Sequence, residues 1–221
     1  NLQLTESDWD GAIASYKNIN KIKRIDKETF NKGESILLYQ KAKELRSDGK
    51  TLDSLKMSRQ ALKKYAGLVP NSIFLSELEV LEGQKKKAEA VLLSAWKANP
   101  HPDIAKKFAE IENNESVDDR VERFKKILNV KKTDTETKTL KAELNILSEN
   151  FPEARRAISD LIETDKANAK VYTLMAAIEK GVGASDAVVK AWLTKAVTAK
   201  RSKTWICSSC DIQSEWEPVC K

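Results

Sequence analysis

Apolar residues recur along this chain in one spacing. After Gly83, the positions Ala88, Val91, Leu92, Ala95 and Trp96 follow at i, i+3, i+4, i+7 and i+8. That spacing lays them on a single face of an α-helix. The lattice returns at Ala154, Ala157, Ile158, Leu161 and Ile162, and at Ser54, Met57, Ser58, Ala61 and Leu62. Near the start it reads Ala12, Ser15, Tyr16 and Ile19. Near the end it reads Val188, Ala191, Trp192 and Ala196, with Lys195 in the fourth place. A weaker copy at Val121, Phe124, Ile127 and Leu128 begins with Arg120 where the others have a small residue.

Lattice starts at 12, 54, 88, 120, 154 and 188 are separated by 42, 34, 32, 34 and 34 residues. A period of about 34 marks the tetratricopeptide repeat, a helix–turn–helix unit. Gly83 stands five before Ala88, Ala95 seven after it and Pro100 twelve after it, and Gly49 stands in the same relation to Ser54. Trp9 and Phe151, each three before its small residue, supply an aromatic at the start of the second helix. The small residue is needed because the two helices of a unit cross closely there. Ala88, Ala154 and Ser54 are therefore expected at close crossings. The predicted fold is all-α, a right-handed solenoid of about eleven helices over residues 1–200, or about five and a half repeats. The longer first step predicts one extended first helix over Asp26–Arg46. Asp8–Asn18 reads as a second helix lacking its partner, so further helices or an atypical cap are expected before residue 1.

In such units one row of each first helix faces a groove. Carrying the register through gives Ile73, Glu77 and Val80, then Ala105, Ala109 and Glu112, then Thr139, Glu143 and Ile146. Small, apolar and acidic side chains suit an amphipathic helix or peptide carrying basic residues. The Lys/Asn cluster that would clamp a C-terminal carboxylate is missing. Ile73, Val80 and Ile146 fit packing between neighbouring repeats equally well.

Composition agrees with a helical protein. The chain has 221 residues with only 7 Gly and 5 Pro, and 33% of it is charged. Its net charge of +6 is spread over lysine pairs and triplets interleaved with acids, such as Lys63–Lys64 and Lys85–Lys87. No basic–aromatic stripe emerges, so no nucleic-acid partner is expected. No apolar stretch approaches the roughly 20 residues of a membrane span. Phosphate-binding glycine loops, nucleophile elbows and His-Glu-x-x-His are absent, so the chain reads as a non-enzyme. The single histidine, His101, sits between two prolines and reads as a turn residue near a helix start.

After Lys200 the periodicity stops. All three cysteines fall in the last fifteen residues, as Cys207-x2-Cys210-x9-Cys220, so residues 201–221 read as a separate tail. Two thiolates two residues apart make a chelating knuckle, and a third at this distance suits a small ribbon holding tetrahedral zinc. A fourth cysteine two positions past Lys221 would complete the set. Trp205 and Trp216 would wall the ribbon. A disulfide framework would leave one thiol over, a redox pair would follow a strand in a βαβ unit, and iron would also suit a tetrahedral sulfur site.

Repeats ending in Trp-x-Cys-x2-Cys and then Glu-Trp-x-Pro-Val-Cys resemble the C-terminal region of bacterial HemY-type proteins. The likeness extends to Ala95-Trp96-Lys97-Ala98-Asn99-Pro100-His101-Pro102-Asp103, to Leu174–Glu179 and to Val189–Leu193. It implies the soluble part of an inner-membrane protein linked to late haem (protoporphyrin/protohaem) biosynthesis. Two membrane helices would precede the repeats, and the repeats would face the cytoplasm, where thiolate sites persist. Expected partners are proteins, among them enzymes of haem biosynthesis. The alternatives are a direct haem or porphyrin carrier, for which axial ligands are scarce, and a LapB-type regulator of envelope assembly, which shares anchor, repeats and a Cys-x2-Cys pair.

Overall fold

A computed structural model describes residues 8–23, 25–200 and 216. Eleven α-helices make up its regular structure among the described residues: α1 (Trp9–Lys23), α2 (Lys27–Ser47), α3 (Thr51–Lys64), α4 (Val69–Leu81), α5 (Lys85–Ala98), α6 (Pro102–Glu110), α7 (Val117–Leu128), α8 (Thr135–Leu147), α9 (Phe151–Glu163), α10 (Ala169–Gly181) and α11 (Asp186–Thr198). The all-α class is as predicted, and the helix pairs have the length and period of tetratricopeptide repeats. The expected long first helix is α2, 21 residues from Lys27 to Ser47. The tail 201–221, apart from Trp216, lies outside the described residues, and so do Cys207, Cys210, Cys220 and Trp205.

Local chemistry sets the helix ends. The side chains of Asp26, Ser116, Asp134, Asn150 and Asn168 each accept a backbone N–H from the first turn that follows, satisfying a donor no carbonyl can reach. Pro70 and Pro152 stand in the first turns of α4 and α9, where a missing N–H costs nothing. Four of the five turns between paired helices pass through a left-handed residue, Gly49, Gly83, Glu149 and Gly183, with φ of 77°, 72°, 56° and 79°, and the α6–α7 turn does not. In the first three of these four the second helix begins two residues later, but α11 begins at Asp186, three after Gly183. Ala184 is the extra residue.

This insertion corrects one expectation. Each second helix starts three residues before its lattice start, as Thr51 precedes Ser54 and Phe151 precedes Ala154. By that rule the last lattice begins at Val189, and the final step is 35 residues (189 − 154), against the expected 34. The structure agrees: Val189, Trp192 and Ala196 are partly covered, whereas Val188, Ala191 and Lys195 are exposed.

The chain packs as two compact units, Asn1–Asn99 with Lys106–Ile111, and Pro100–Ala105 with Glu112–Lys221, the division running through α6. In the first unit Leu55, Leu75, Leu78 and Val91 form a core, with Leu62 and Phe74 against it. In the second, Ala142, Ala154, Ala157, Ile158, Leu161, Val171, Met175 and Ile178 do the same, and Phe151, Ile146 and Trp192 pack on their edge. Burying each large aliphatic here contributes roughly 1.5–3 kcal/mol. The three predicted crossing residues, Ser54, Ala88 and Ala154, are all fully buried. At Ser54 the closeness is explicit: its hydroxyl donates to the carbonyl of Ala42 on α2 at 2.7 Å.

Polar locks join neighbours as well. Ser58 on α3 donates to Asn71 Oδ1 on α4 at 2.8 Å, and Asn71 Nδ2 returns a bond to the Ser58 carbonyl at 3.1 Å. Arg59 grips Glu79 through two bonds of 2.8 and 3.0 Å. Glu34 on α2, buried, faces Lys64 of α3 at 2.7 Å and Lys17 of α1 at 3.6 Å. In the second unit Arg155 on α9 pairs with Glu179 on α10 at 2.8 Å, and Lys138 pairs with Asp160. A group so paired avoids the cost of a lone buried charge.

Candidate protein-binding surface

Three of the nine expected groove residues are glutamates, and the structure gives two of them, Glu77 and Glu143, the same partner type. Glu77 on α4 is exposed and meets Lys107 on α6 at 2.6 Å. Glu143 on α8 meets Lys170 on α10 at 2.8 Å. In each unit, therefore, the acid of one first helix is paired with a lysine of the next. Lys107 also binds Glu110 at 2.6 Å. Burial works against its charge, but the hydrogen bonds to Glu110 and Glu77 outweigh burial and raise its pKa. These acids are already partly neutralised, which the residue spacing alone does not reveal.

Beside Glu77 lies an aromatic floor. Tyr39 of α2 and Phe74 of α4 meet edge to face, with ring centroids 5.7 Å apart. Such a pair favours this geometry because the positive ring edge faces the negative ring face. Lys43 lies over the Tyr39 ring at 5.3 Å. The Tyr39 hydroxyl is pushed up to about 12, by burial first and then by the charge of Glu77. Ile73 and Val80 flank Glu77, both half-buried. In this unit the surface thus combines an aromatic base, aliphatic flanks and a Glu–Lys–Glu cluster.

The other expected residues are placed unevenly. Ala105 and Ala109 on α6 and Glu112 just after it are half-buried. Thr139 is buried, and its hydroxyl donates to the carbonyl of Thr135 one turn back at 2.8 Å. Ile146 packs against the core of the second unit. In that unit only Glu143 of the expected trio Thr139, Glu143 and Ile146 is both half-exposed and charged.

Tyr39 and Lys43 were within reach of the sequence, since they stand fifteen and eleven before Ser54, as Ile73 and Glu77 stand before Ala88. Lys107 and Lys170 hold no common place in the lattice, so no spacing marks them. His101 behaves as a cap at the start of α6. It is buried, its Nδ1 accepts the Asp103 amide at 3.2 Å, and its carbonyl accepts the Ile104 amide at 3.0 Å. Among the described residues no three His, Cys, Asp or Glu side chains gather as a metal site. No described helix is long and apolar enough to cross a membrane.

No family model matches the chain, and no curated protein is detectably similar to it. Among solved structures, the crystal structure of a tetratricopeptide repeat protein from Parabacteroides merdae ATCC 43184 is similar at 19% identity. That likeness covers 90% of this chain and 76% of the other, with a TM-score of 0.44.

Proposed function

We propose that this chain is a non-enzymatic adaptor that holds a protein partner on the exposed rows of its first helices. One observation carries the reading: in the first unit Ile73, Glu77 and Val80 stand beside the Tyr39–Phe74 pair, with Lys107 and Glu110 completing the charges. A helix or extended peptide needs such a surface, with apolar contact for affinity and a few charges for register. Because Glu77 and Glu143 are paired internally, the partner is recognised by shape and apolar contact more than by net positive charge.

The double variant Ile73→Ser with Val80→Ser, which removes the apolar flanks and leaves Glu77 paired with Lys107, tests this. Both side chains are half-buried and not in the core, so the helical circular dichroism should be unchanged. Proteins that co-purify with the membrane-extracted wild type through this surface should be lost. Co-purification of the same set at the same yield would overturn the reading.

The resemblance to HemY-type proteins supports a finer proposal: the soluble part of an inner-membrane protein facing the cytoplasm and serving enzymes of haem synthesis. Its support is the Glu-Trp-x-Pro-Val-Cys ending together with the Cys207-x2-Cys210 knuckle. Cys207, Cys210 and Cys220 would hold zinc with one further ligand. The buried capping role of His101 speaks against direct haem carriage. Haemin titration should therefore give the same Soret spectrum for wild type and His101→Ala.

A further inference from the structure

In an array of helix pairs, every second helix has two flanks, one toward its own first helix and one toward the following repeat. The second flank can be read from the contacts of α3 and α9. Counted from the lattice start, position +4 of α3 is Ser58, bonded to Asn71 on α4, and position +1 is Leu55, clustered with Leu75 and Leu78. In α9, position +4 is Ile158 and position +8 is Ile162, grouped with Val171, Met175 and Ile178 of α10. With the last lattice beginning at Val189, the same positions of α11 are Leu193 and Val197. Leu193 is 43% exposed and Val197 86%, against 0% for Ile158. No residue of α11 is buried, and no described helix follows it. The last helix thus offers an apolar flank with the register of a repeat junction.

We propose that this flank is covered by the chain's own C-terminal segment, residues 201–221. Connections from a second helix to the next first helix are short here: α3 ends at Lys64 and α4 begins at Val69, and α9 ends at Glu163 and α10 begins at Ala169. After Thr198 the same spacing puts a covering segment from about residue 203 onward. The chain leaves in a suitable place, since the Lys200 carbonyl accepts the Ala169 amide at 2.8 Å, beside the first turn of α10. Lys190 to Val197 rises only about 10 Å along the helix, well within the reach of 21 residues. The segment carries Trp205, Ile206, Ile212, Trp216 and Val219, too few apolar residues for a core of their own. Trp216 is half-buried. Asp211, Glu215 and Glu217 complement the exposed Lys190 and Lys195 on α11. The proposal is independent of what the first helices bind.

Photo-crosslinking in the full chain tests it, with all cysteines retained. Val197→p-benzoylphenylalanine, mixed as unlabelled and ¹⁵N-labelled protein, should crosslink to peptides within 201–221 of the same isotope. The yield should not depend on protein concentration, and the same probe at exposed Leu52 should give no such product. Loss of at least half the product on Trp205→Ser with Trp216→Ser would support the contact further. Products joining the two isotopes would assign the flank to a second copy and overturn the proposal, as would absence of any crosslink to 201–221. The probe at Leu193 gives the same reading should the first variant lose its helical circular dichroism.

Discussion

The turns between paired helices allow a two-way exchange whose size follows from backbone geometry alone. Gly83 and Glu149 hold equivalent places, each five residues before a lattice start and each left-handed, with φ of 72° and 56°. A Cβ built on Gly83 meets nothing within 4 Å, so Gly83→Ala introduces no clash. What remains is the strain of a side chain in the left-handed region, about 1–2 kcal/mol. Part of it is offset because alanine also restricts the unfolded chain, so the net loss should be about 1 kcal/mol. Glu149→Gly runs the other way and should stabilise by a similar or smaller amount, since a freer unfolded chain subtracts from the relief. Equilibrium urea unfolding followed by circular dichroism measures both, supplemented by hydrogen exchange of the flanking helices because repeat arrays can unfold in parts. For a domain of this size each kcal/mol should move Tm by about 2–4 °C. If both variants shifted stability in the same direction, or Gly83→Ala were neutral, the common geometry of the two turns would be refuted.

Other outcomes follow from packing, charge and metal chemistry. Ala154→Trp should overpack the α8–α9 crossing and cost roughly 1–3 kcal/mol or more, and an unchanged melting temperature would refute the crossing. The hydrogen bond from Arg123, then that from Arg120, holds the Glu115 carboxyl below its usual range despite burial. A depressed folded pKa means its stabilisation is present above the unfolded value of about 4.3 and is lost as pH falls through the folded one. Glu115→Gln should thus flatten the acid limb of the stability curve, as read by urea midpoints between pH 6 and 3. A chain lengthened past Lys221 by two residues, the second a cysteine, should bind one zinc at about 2.3 Å from each thiolate, as measured by metal analysis and X-ray absorption.

How far the fold was legible depends on which forces left a periodic trace. Ala88, Ala154 and Ser54 were readable because a close crossing demands a small residue once per period, and all three are buried. The step to the last helix was misplaced by one residue because the 34-residue period leads to Val188, with Lys195 in the fourth place, whereas Val189, Trp192, Leu193, Ala196 and Val197 are all apolar and the extra residue after Gly183 shifts the register onto them. Thr139 fell in the expected groove row yet is buried, its hydroxyl satisfied within its own helix, so polarity alone gave no warning. Lys107 and Lys170 were invisible for a different reason. A long flexible cation reaches its carboxylate from several positions, so evolution need not hold it at one spacing.

The locks between neighbouring helix pairs bear on how such a chain can grow. Both junctions pair an arginine with a glutamate, Arg59 with Glu79 and Arg155 with Glu179, but the arginine sits at a different lattice position in each, and the first adds Ser58 against Asn71. If every junction used the same side chains, duplicating a repeat would lengthen the array with no new mismatch. Here a copied α3 placed before α10 would set a serine hydroxyl and Leu55 against a helix shaped for Ile158 and Arg155. Order is therefore written into the junctions, and the repeats, though alike in period, are not interchangeable parts.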